Sequence, residues 1–346
     1  MAKAVTLKTI AERLNISPSL VSRALTDKYG VSDDMRNLVK QTAAELGYTP
    51  RITPAVPGTR RKVLVFIDSG IATILNDTSL YSQIMNGLMM RLQQEDIGIE
   101  PIVTQYYRPY EIGQIIQEKK PFGLVLLGDI DDKYFKMMEH LSLPLVMIDN
   151  YTYCGNELDI VRANNFAVGH QAAGHLIANG HRNLAFVGNT LYSFSFQDRF
   201  DGFLNQIHRS TVNNIRWQCL EDDNPKHHIC DTEILHRVLS SPDRPTAFVC
   251  ANDSTALELY KAATSLGLSV PEDISLTGCD NNSAELERIV PKHFTTFSLN
   301  TAEIGKAGAE LLLERNADPA RPARYIQIAA YFIPGETVQP PQSVGE

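Results

Sequence analysis

Ser19, Ser22 and Arg23 place two hydroxyls and a guanidinium on one side of a short helical repeat. Such a set suits nucleic acid. Arginine can bond O6 and N7 of guanine together, which discriminates a base pair by about 1–3 kcal/mol. Serine hydroxyls bond bases or phosphates. The flanking residues must hold this face outward. Leu7, Ile10, Ala11 and Leu14 fall at i, i+3, i+4 and i+7, one buried stripe of a helix. Val21, Ala24 and Leu25 begin the pattern again. Between them, Asn15 tolerates the left-handed conformation of a tight turn, Ser17 suits an N-cap, and Pro18 suits a first helical position. The spacing predicts a helix-turn-helix whose second helix enters the major groove. The alternative is a small helical hairpin with a solvated face.

A second constellation follows a series of predicted strands. Short apolar runs at 63–67, 99–103, 123–127, 144–148, 184–188, 247–250 and 274–278 read as strands. Helical patterns lie near 80–95, 110–119, 132–141, 165–179, 197–209, 231–240, 252–266 and 300–314. This alternation predicts parallel sheets covered on both faces. The units are too many for one small sheet, so two Rossmann-like lobes are expected. Ligands in such folds bind at the carboxyl ends of strands. There the sequence places Asp68, Ser69 and Tyr81; Asp149 and Asn150; the loop from Tyr192 to Arg199; Asn252 and Asp253; and Asp280 and Asn281. Carboxylates and amides take hydroxyls, and an aromatic ring covers an apolar face, so a polyhydroxylated ligand fits. Competing readings stand beside this one: Asp253 as the N-cap of the next helix, Asn165 as the cap of its own, Asp201 as a surface residue, and Phe194 and Phe196 as lobe packing.

The 346-residue chain is 43% hydrophobic and 21% charged, ordinary for a globular protein of two or three domains. Its net charge of −8 is unevenly placed. Residues 1–62 hold eleven basic against five acidic side chains, a net +6, and the remainder carries −14. A basic head on an acidic body is expected when only the head meets phosphate. A third helix is expected over 33–46, capped by Ser32, with Met35, Leu38, Val39 and Leu46 buried. Residues 50–62 then read as a linker, with Pro50, Pro54, Pro57, Gly58 and a basic end.

Several chemistries find no support. GxSxG, Walker, GxGxxG and HExxH motifs are absent, so no catalytic residue is named and an enzyme is not expected. The five cysteines lack metal or disulfide spacing. His227 and His228 with Asp222 and Asp223 read as a solvated loop, and His170, His175 and His181 are not at helical metal spacing. No metal or cofactor is expected. Without a signal-peptide pattern or an apolar membrane run, a cytoplasmic location is expected.

The run from Val5 through Ile10-Ala11, Ile16-Ser17 and Val21-Ser22-Arg23-Ala24-Leu25 resembles the LacI/GalR family of bacterial transcription regulators. Val31-Ser32 and the 44–50 segment continue the likeness, and weaker matches extend over nearly the whole chain. The resemblance implies an N-terminal all-α helix-turn-helix domain plus an α/β periplasmic-binding-protein-like core of two Rossmann-like lobes. It places the head at 1–49, the linker at 50–62 and the core at 63–340. One lobe is then 63–161 plus 293–323, the other 163–290 plus 325–340, with chain crossings near 161–164, 290–294 and 322–326.

The resemblance also implies function: a homodimeric regulator, a repressor by expectation, on a pseudo-palindromic double-stranded operator. Its small-molecule effector, a sugar or related polyol, binds between the lobes. The expected DNA contacts are Thr6, Leu7, Pro18, Ser19, Ser22, Arg23, Lys28, Tyr29, Arg51 and Val56; the expected effector contacts are Ser69, Tyr81, Asp149, Phe196, Arg199, Asn252 and Asp280. Among these, Arg199 matches the family's effector-gripping arginine, while Asn252 and Asp280 match its AND and G-x-D-[DN] segments. The linker departs from the pattern. Pro54 and Pro57 occupy the small and leucine positions of the family's hinge helix, and proline inside a helix costs about 3 kcal/mol. No ordinary hinge helix is expected; Val56 or Ile52 remains available as a minor-groove wedge. The competing function is a cytoplasmic sugar-binding or sugar-processing protein without regulatory DNA binding.

Overall fold

The computed structural model describes residues 7–14, 16–17, 20–21, 24, 33–45, 61–67, 80–138, 141, 143–149, 158–222, 224, 227, 231–281 and 284–342. The chain forms two compact units, Met1–Gly58 and Thr59–Glu346. In the first unit, α1 (Leu7–Leu14) and α2 (Asp33–Glu45) are helical, as are Leu20, Val21 and Ala24 between them. Ile10, Ala11, Val21, Ala24, Val39 and Ala43 form its core, with Leu14, Ile16 and Met35 packed against it. Ser17 caps the second helical segment, its Oγ accepting from the Leu20 N–H at 3.2 Å. Leu38 departs from expectation: it is 46% exposed, and the polar Thr42 is buried, its hydroxyl bonded to the Leu38 carbonyl at 2.8 Å. The stripe expected at Met35, Leu38 and Val39 therefore runs through Met35, Val39 and Ala43 instead. Leu46, Ser32 and the 50–60 linker, with its proline-broken hinge, lie outside the described residues.

The second unit is built on two parallel sheets. The first has the order β11-β5-β4-β3-β1-β2. Its strands are β1 (Lys62–Ile67), β2 (Gly98–Val103), β3 (Gly123–Leu127), β4 (Leu145–Ile148), β5 (Asp159–Ala163) and β11 (Tyr325–Ile328). Helices α3 (Leu80–Gln93), α4 (Pro109–Lys119), α5 (Asp132–Met138) and α11 (Thr301–Ala317) belong with it. The near-continuous apolar runs of β1, β3 and β4 are what a sheet buried on both faces requires.

The second sheet has the order β7-β6-β8-β9, from β6 (Asn183–Val187), β7 (Arg216–Leu220), β8 (Ala247–Cys250) and β9 (Ser275–Thr277). Helices α6 (Asn165–Ala178), α7 (Phe194–Arg209), α8 (Thr232–Leu239), α9 (Asp253–Ser265) and α10 (Ala284–Ile289) accompany it. An antiparallel pair, β10 (Thr296–Ser298) and β12 (Tyr331–Ile333), joins the end of β9 through the Asp280–Ser298 bridge.

The expected lobe boundaries need correction. The strand at 325–328 pairs parallel with β5, so it belongs to the first sheet and not to the lobe built on 163–290. Conversely 296–298, expected in the first lobe, bonds to the second sheet, with Asp280 N–H donating to the Phe297 carbonyl at 2.9 Å. The crossings expected near 290–294 and 322–326 thus lie between β10 and α11 and between β11 and β12. One buried charge explains the first shift. Asp159 accepts from Arg315 Nε at 2.9 Å, Arg321 NH2 at 2.7 Å and the Arg324 N–H at 2.9 Å. These bonds gather the end of α11 and the start of β11 beside β5. The 331–340 part does belong with the second sheet: Thr337 donates to the Leu276 carbonyl at 2.8 Å.

Two glycines set how closely α6 and α7 pack. A Cβ on Gly169 would collide with the Arg199 carbonyl, and one on Gly202 with the Phe166 carbonyl. Backbone therefore meets backbone, and the helices carry Asn165 and Arg199 into reach of each other. Replacing Gly169 by alanine should destabilise the chain by roughly 1–3 kcal/mol through overpacking. Urea unfolding of purified G169A checks this; a midpoint equal to that of the unsubstituted chain would mean the helices separate at no cost.

Candidate functional site

Arg199 is the centre of the site. It lies on α7, whose N-cap Ser193 accepts from the Phe196 N–H at 3.3 Å. Only 4% of the residue is exposed. A buried guanidinium needs acceptors, and the fold supplies them. Nε donates to Asn165 Oδ1 at 2.9 Å, and NH1 to the Ala251 carbonyl at 2.5 Å. NH2 stands 3.6 Å from Asp280 Oδ1, an ion pair without a hydrogen bond. The Phe196 ring lies 5.7 Å below the guanidinium carbon. Burial works against the charge, yet Asp280, Asp149 and Asp253 nearby hold the guanidinium ionised.

The opposing groups come from the first sheet. Asp149 follows β4 with φ of 50°. Its carboxylate accepts from the Ser195 hydroxyl at 3.4 Å, and Ser195 in turn accepts from Asn165 Nδ2 at 3.1 Å. Tyr81, at the start of α3, hydrogen-bonds the same carboxylate. A polar chain therefore runs from Tyr81 through Asp149, Ser195 and Asn165 to Arg199, tying strand ends of the two sheets together. Beside it Arg162 of β5 pairs with Asp198 of α7 and lies 5.2 Å over the Tyr325 ring.

Burial raises both carboxylates above the ordinary range. Asp280 reaches about 6, its desolvation outweighing the attraction of Arg199, while Asp149 also pushes it upward. Asp149 is raised for the same first reason, despite Arg199. Asp280 sits in a strained backbone, φ 112°, and its Oδ1 is buried without a hydrogen bond.

Of the expected effector contacts, Tyr81, Asp149, Phe196, Arg199 and Asp280 come together here; Ser69 lies outside the described residues. Asn252 is the N-cap of α9. Its Oδ1 accepts from the Thr255 N–H and hydroxyl, each at 2.9 Å, so a ligand contact has to use its amide nitrogen. The capping role suggested for Asp253 is therefore taken by its neighbour. Asp253 instead accepts from Thr296 Oγ1 at 2.7 Å and from the Asn281 N–H at 2.8 Å, fixing the turn that carries Asp280. Asn165 is not a cap either: Asn164 accepts from the Ala167 N–H at 3.0 Å, which frees Asn165 for Arg199. Phe196 both packs, at 5% exposure, and faces Arg199. Sequence reasoning missed Arg162, Ser195 as a bridge and Asn165 as a ligand of Arg199.

Among the expected DNA contacts only the backbone of Leu7 is described; Thr6, Pro18, Ser19, Ser22, Arg23, Lys28, Tyr29, Arg51 and Val56 lie outside the described residues. Among the described residues no group of acids, histidines or cysteines suits a metal, and no helix is long and apolar enough to cross a membrane. His181 is held by Thr246, Ser275 and the Gln339 carbonyl, and burial pushes it down to about 4.

Fold and site together define a regulator with a helix-turn-helix head and a periplasmic-binding-protein-like core. Residues 173–338 match the periplasmic binding protein-like domain, and residues 6–51 match the bacterial regulatory proteins of the lacI family. The ribose operon repressor of Haemophilus influenzae is 27% identical over 91% of this chain and 92% of its own. The transcriptional repressor PurR of Vibrio vulnificus is 26% identical over 96% and 98%. A lac repressor dimer bound to operator and the anti-inducer ONPF shares the fold, with a TM-score of 0.66 and 22% identity over 97% of this chain and all of that one. A complex of the regulator CelR with cellobiose does so at 0.65 and 19%, over 96% and 100%. The chain thus carries a LacI-family DNA-binding domain and a periplasmic-binding-protein-like domain.

The raised Asp280 carboxyl has a readable signature. Folding favours its protonated form, so its contribution to stability is present below about pH 4 and is lost as pH rises through about 6. Asp280→Asn removes this dependence. Its melting temperature minus that of the unsubstituted protein should rise between pH 4 and pH 7, by the equivalent of roughly 3 kcal/mol. A flat difference across that range would refute the buried-carboxylate reading.

Proposed function

We propose that this chain is a DNA-binding transcriptional repressor whose operator affinity is set by a small polar ligand held between the two sheets of its core. Arg199 carries the reading: it is buried, ionised and reached by groups from both sheets. A ligand that bonds Tyr81, Asp149, Arg199, Asp280 and the Asn252 amide changes the polar links between the sheets. An effector with different affinities for two sheet arrangements shifts their populations by that difference and no more. A coupling of about 1–3 kcal/mol changes occupancy roughly 5–150-fold.

Two copies acting as a homodimer present two heads to a pseudo-palindromic operator, the geometry this head class uses. The basic head, net +6, supplies phosphate contacts, and Arg23 with Ser22 and Ser19 reads bases. The proline-bearing linker shifts weight onto the major groove, with Val56 and Arg51 as its remaining DNA contacts. The protein acts in the cytoplasm, where the DNA lies, and performs no catalysis. A carbohydrate is the favoured effector: the site offers carboxylates and a guanidinium for hydroxyls and an aromatic face at Phe196. Ribose and cellobiose are named with proteins of the same fold.

Selection from fragmented genomic DNA, followed by sequencing of retained fragments, tests this. We expect a pseudo-palindromic consensus and an affinity that falls steeply with salt. Arg23→Ala should reduce discrimination between that consensus and random DNA by about 5–150-fold, the loss of one bidentate base contact. Retention without sequence preference would reduce the head to a non-specific basic patch.

A further inference from the structure

The site's charge balance narrows the effector beyond "polyol". Among the described residues, Asp129, Asp149, Asp198, Asp253 and Asp280 act on the groups of the site, against two guanidiniums, Arg162 and Arg199. Arg162 is committed to Asp198. Asp253 is committed to Thr296 and the Asn281 N–H. Arg162 still attracts Asp149, but Arg199 is the guanidinium that acts on both Asp149 and Asp280, which repel each other. It does not satisfy both: its ion pair to Asp280 spans 3.6 Å, and Asp280 Oδ1 is buried with no hydrogen bond.

We propose that the effector is an aminated sugar, bound with its ammonium group against Asp149 and Asp280. This rests on the reading of the core as the effector site. A neutral hydroxyl can satisfy one oxygen, but it leaves two mutually repelling carboxylates beside the guanidinium. An ammonium group donates up to three charge-assisted hydrogen bonds and relieves the repulsion. A sugar acid or sugar phosphate brings further negative charge into the same low-dielectric space and is rejected.

The test is titration calorimetry on the full chain at pH 7.5 with glucosamine, galactosamine and mannosamine. The parent hexoses, the N-acetyl hexosamines and the uronates serve as matched probes. N-acetylation keeps the nitrogen and removes its charge. We expect at least one hexosamine to bind, about tenfold or more tighter than its hexose and its N-acetyl form, with no uronate binding. In Asp280→Asn and Asp149→Asn this amine advantage should fall to near parity; either variant suffices if the other fails to fold. The proposal is overturned by binding of no hexosamine, by binding of any uronate, by a hexose that binds as tightly as its amine, or by an advantage that persists in both variants. Genomic DNA retention by the same preparations separates the two levels. Lost DNA binding sinks the regulator reading, whatever the panel shows. Intact DNA binding with a failed panel sinks only the amine.

Discussion

The core is organised by the need to keep one guanidinium charged away from water. Burying an unpaired cation is prohibitive, and even a paired one must recover several kcal/mol of lost hydration. Arg199 meets that demand with a side-chain amide, a backbone carbonyl and an offset carboxylate. Each acceptor comes from a different element: α6, the end of β8 and the turn after β9. Those elements are fixed in turn by the contacts at Gly169 and Gly202, by the Asn252 cap and by Asp253. Disturbing any of them exposes or unpairs the same cation.

Strand β5 carries a second pair of buried charges, one near each end. Asp159 collects two arginines and a backbone N–H, which brings α11 and β11 to the first sheet. Arg162 reaches Asp198 on α7, beside the second sheet. The first arrangement is internal to one sheet and its helices; the second links the two. Of the links between the sheets, Arg162–Asp198 and Asp149–Ser195 are polar contacts with alternative partners in water or in a ligand. Such contacts can exchange without creating a cavity, which apolar packing cannot do.

The alternation of apolar runs made β1, β3, β4, β6 and β8 legible, because buried parallel strands are nearly uniform in hydrophobicity. Strand β5 was missed because Asp159 and Arg162 interrupt it, and their partners lie 36 positions away or more. β7 was missed as a half-exposed edge, and β10 and β12 because three residues carry no period. The polar residues that follow the strands and gather around Arg199 were readable, since strand ends set their position. The roles of Asn165 and Asn252 were not, because adjacent polar residues compete for one capping position and only backbone geometry decides between them. The affiliation of 296–298 and 325–328 depended likewise on long-range bonds to Asp280 and β5.

The backbone contact at Gly169 and Gly202 divides the site into a fixed jaw and an adjustable one. Arg199 and Asn165 are cast into the α6–α7 pair, where even a methyl group has no room. Asp149 and Tyr81 sit on the opposite sheet and meet that jaw through one long serine bond. Descendants of this chain that acquire new ligands are therefore expected to keep the first pair and vary the second. Side chains can change one at a time on that side while the buried cation of the other stays in place.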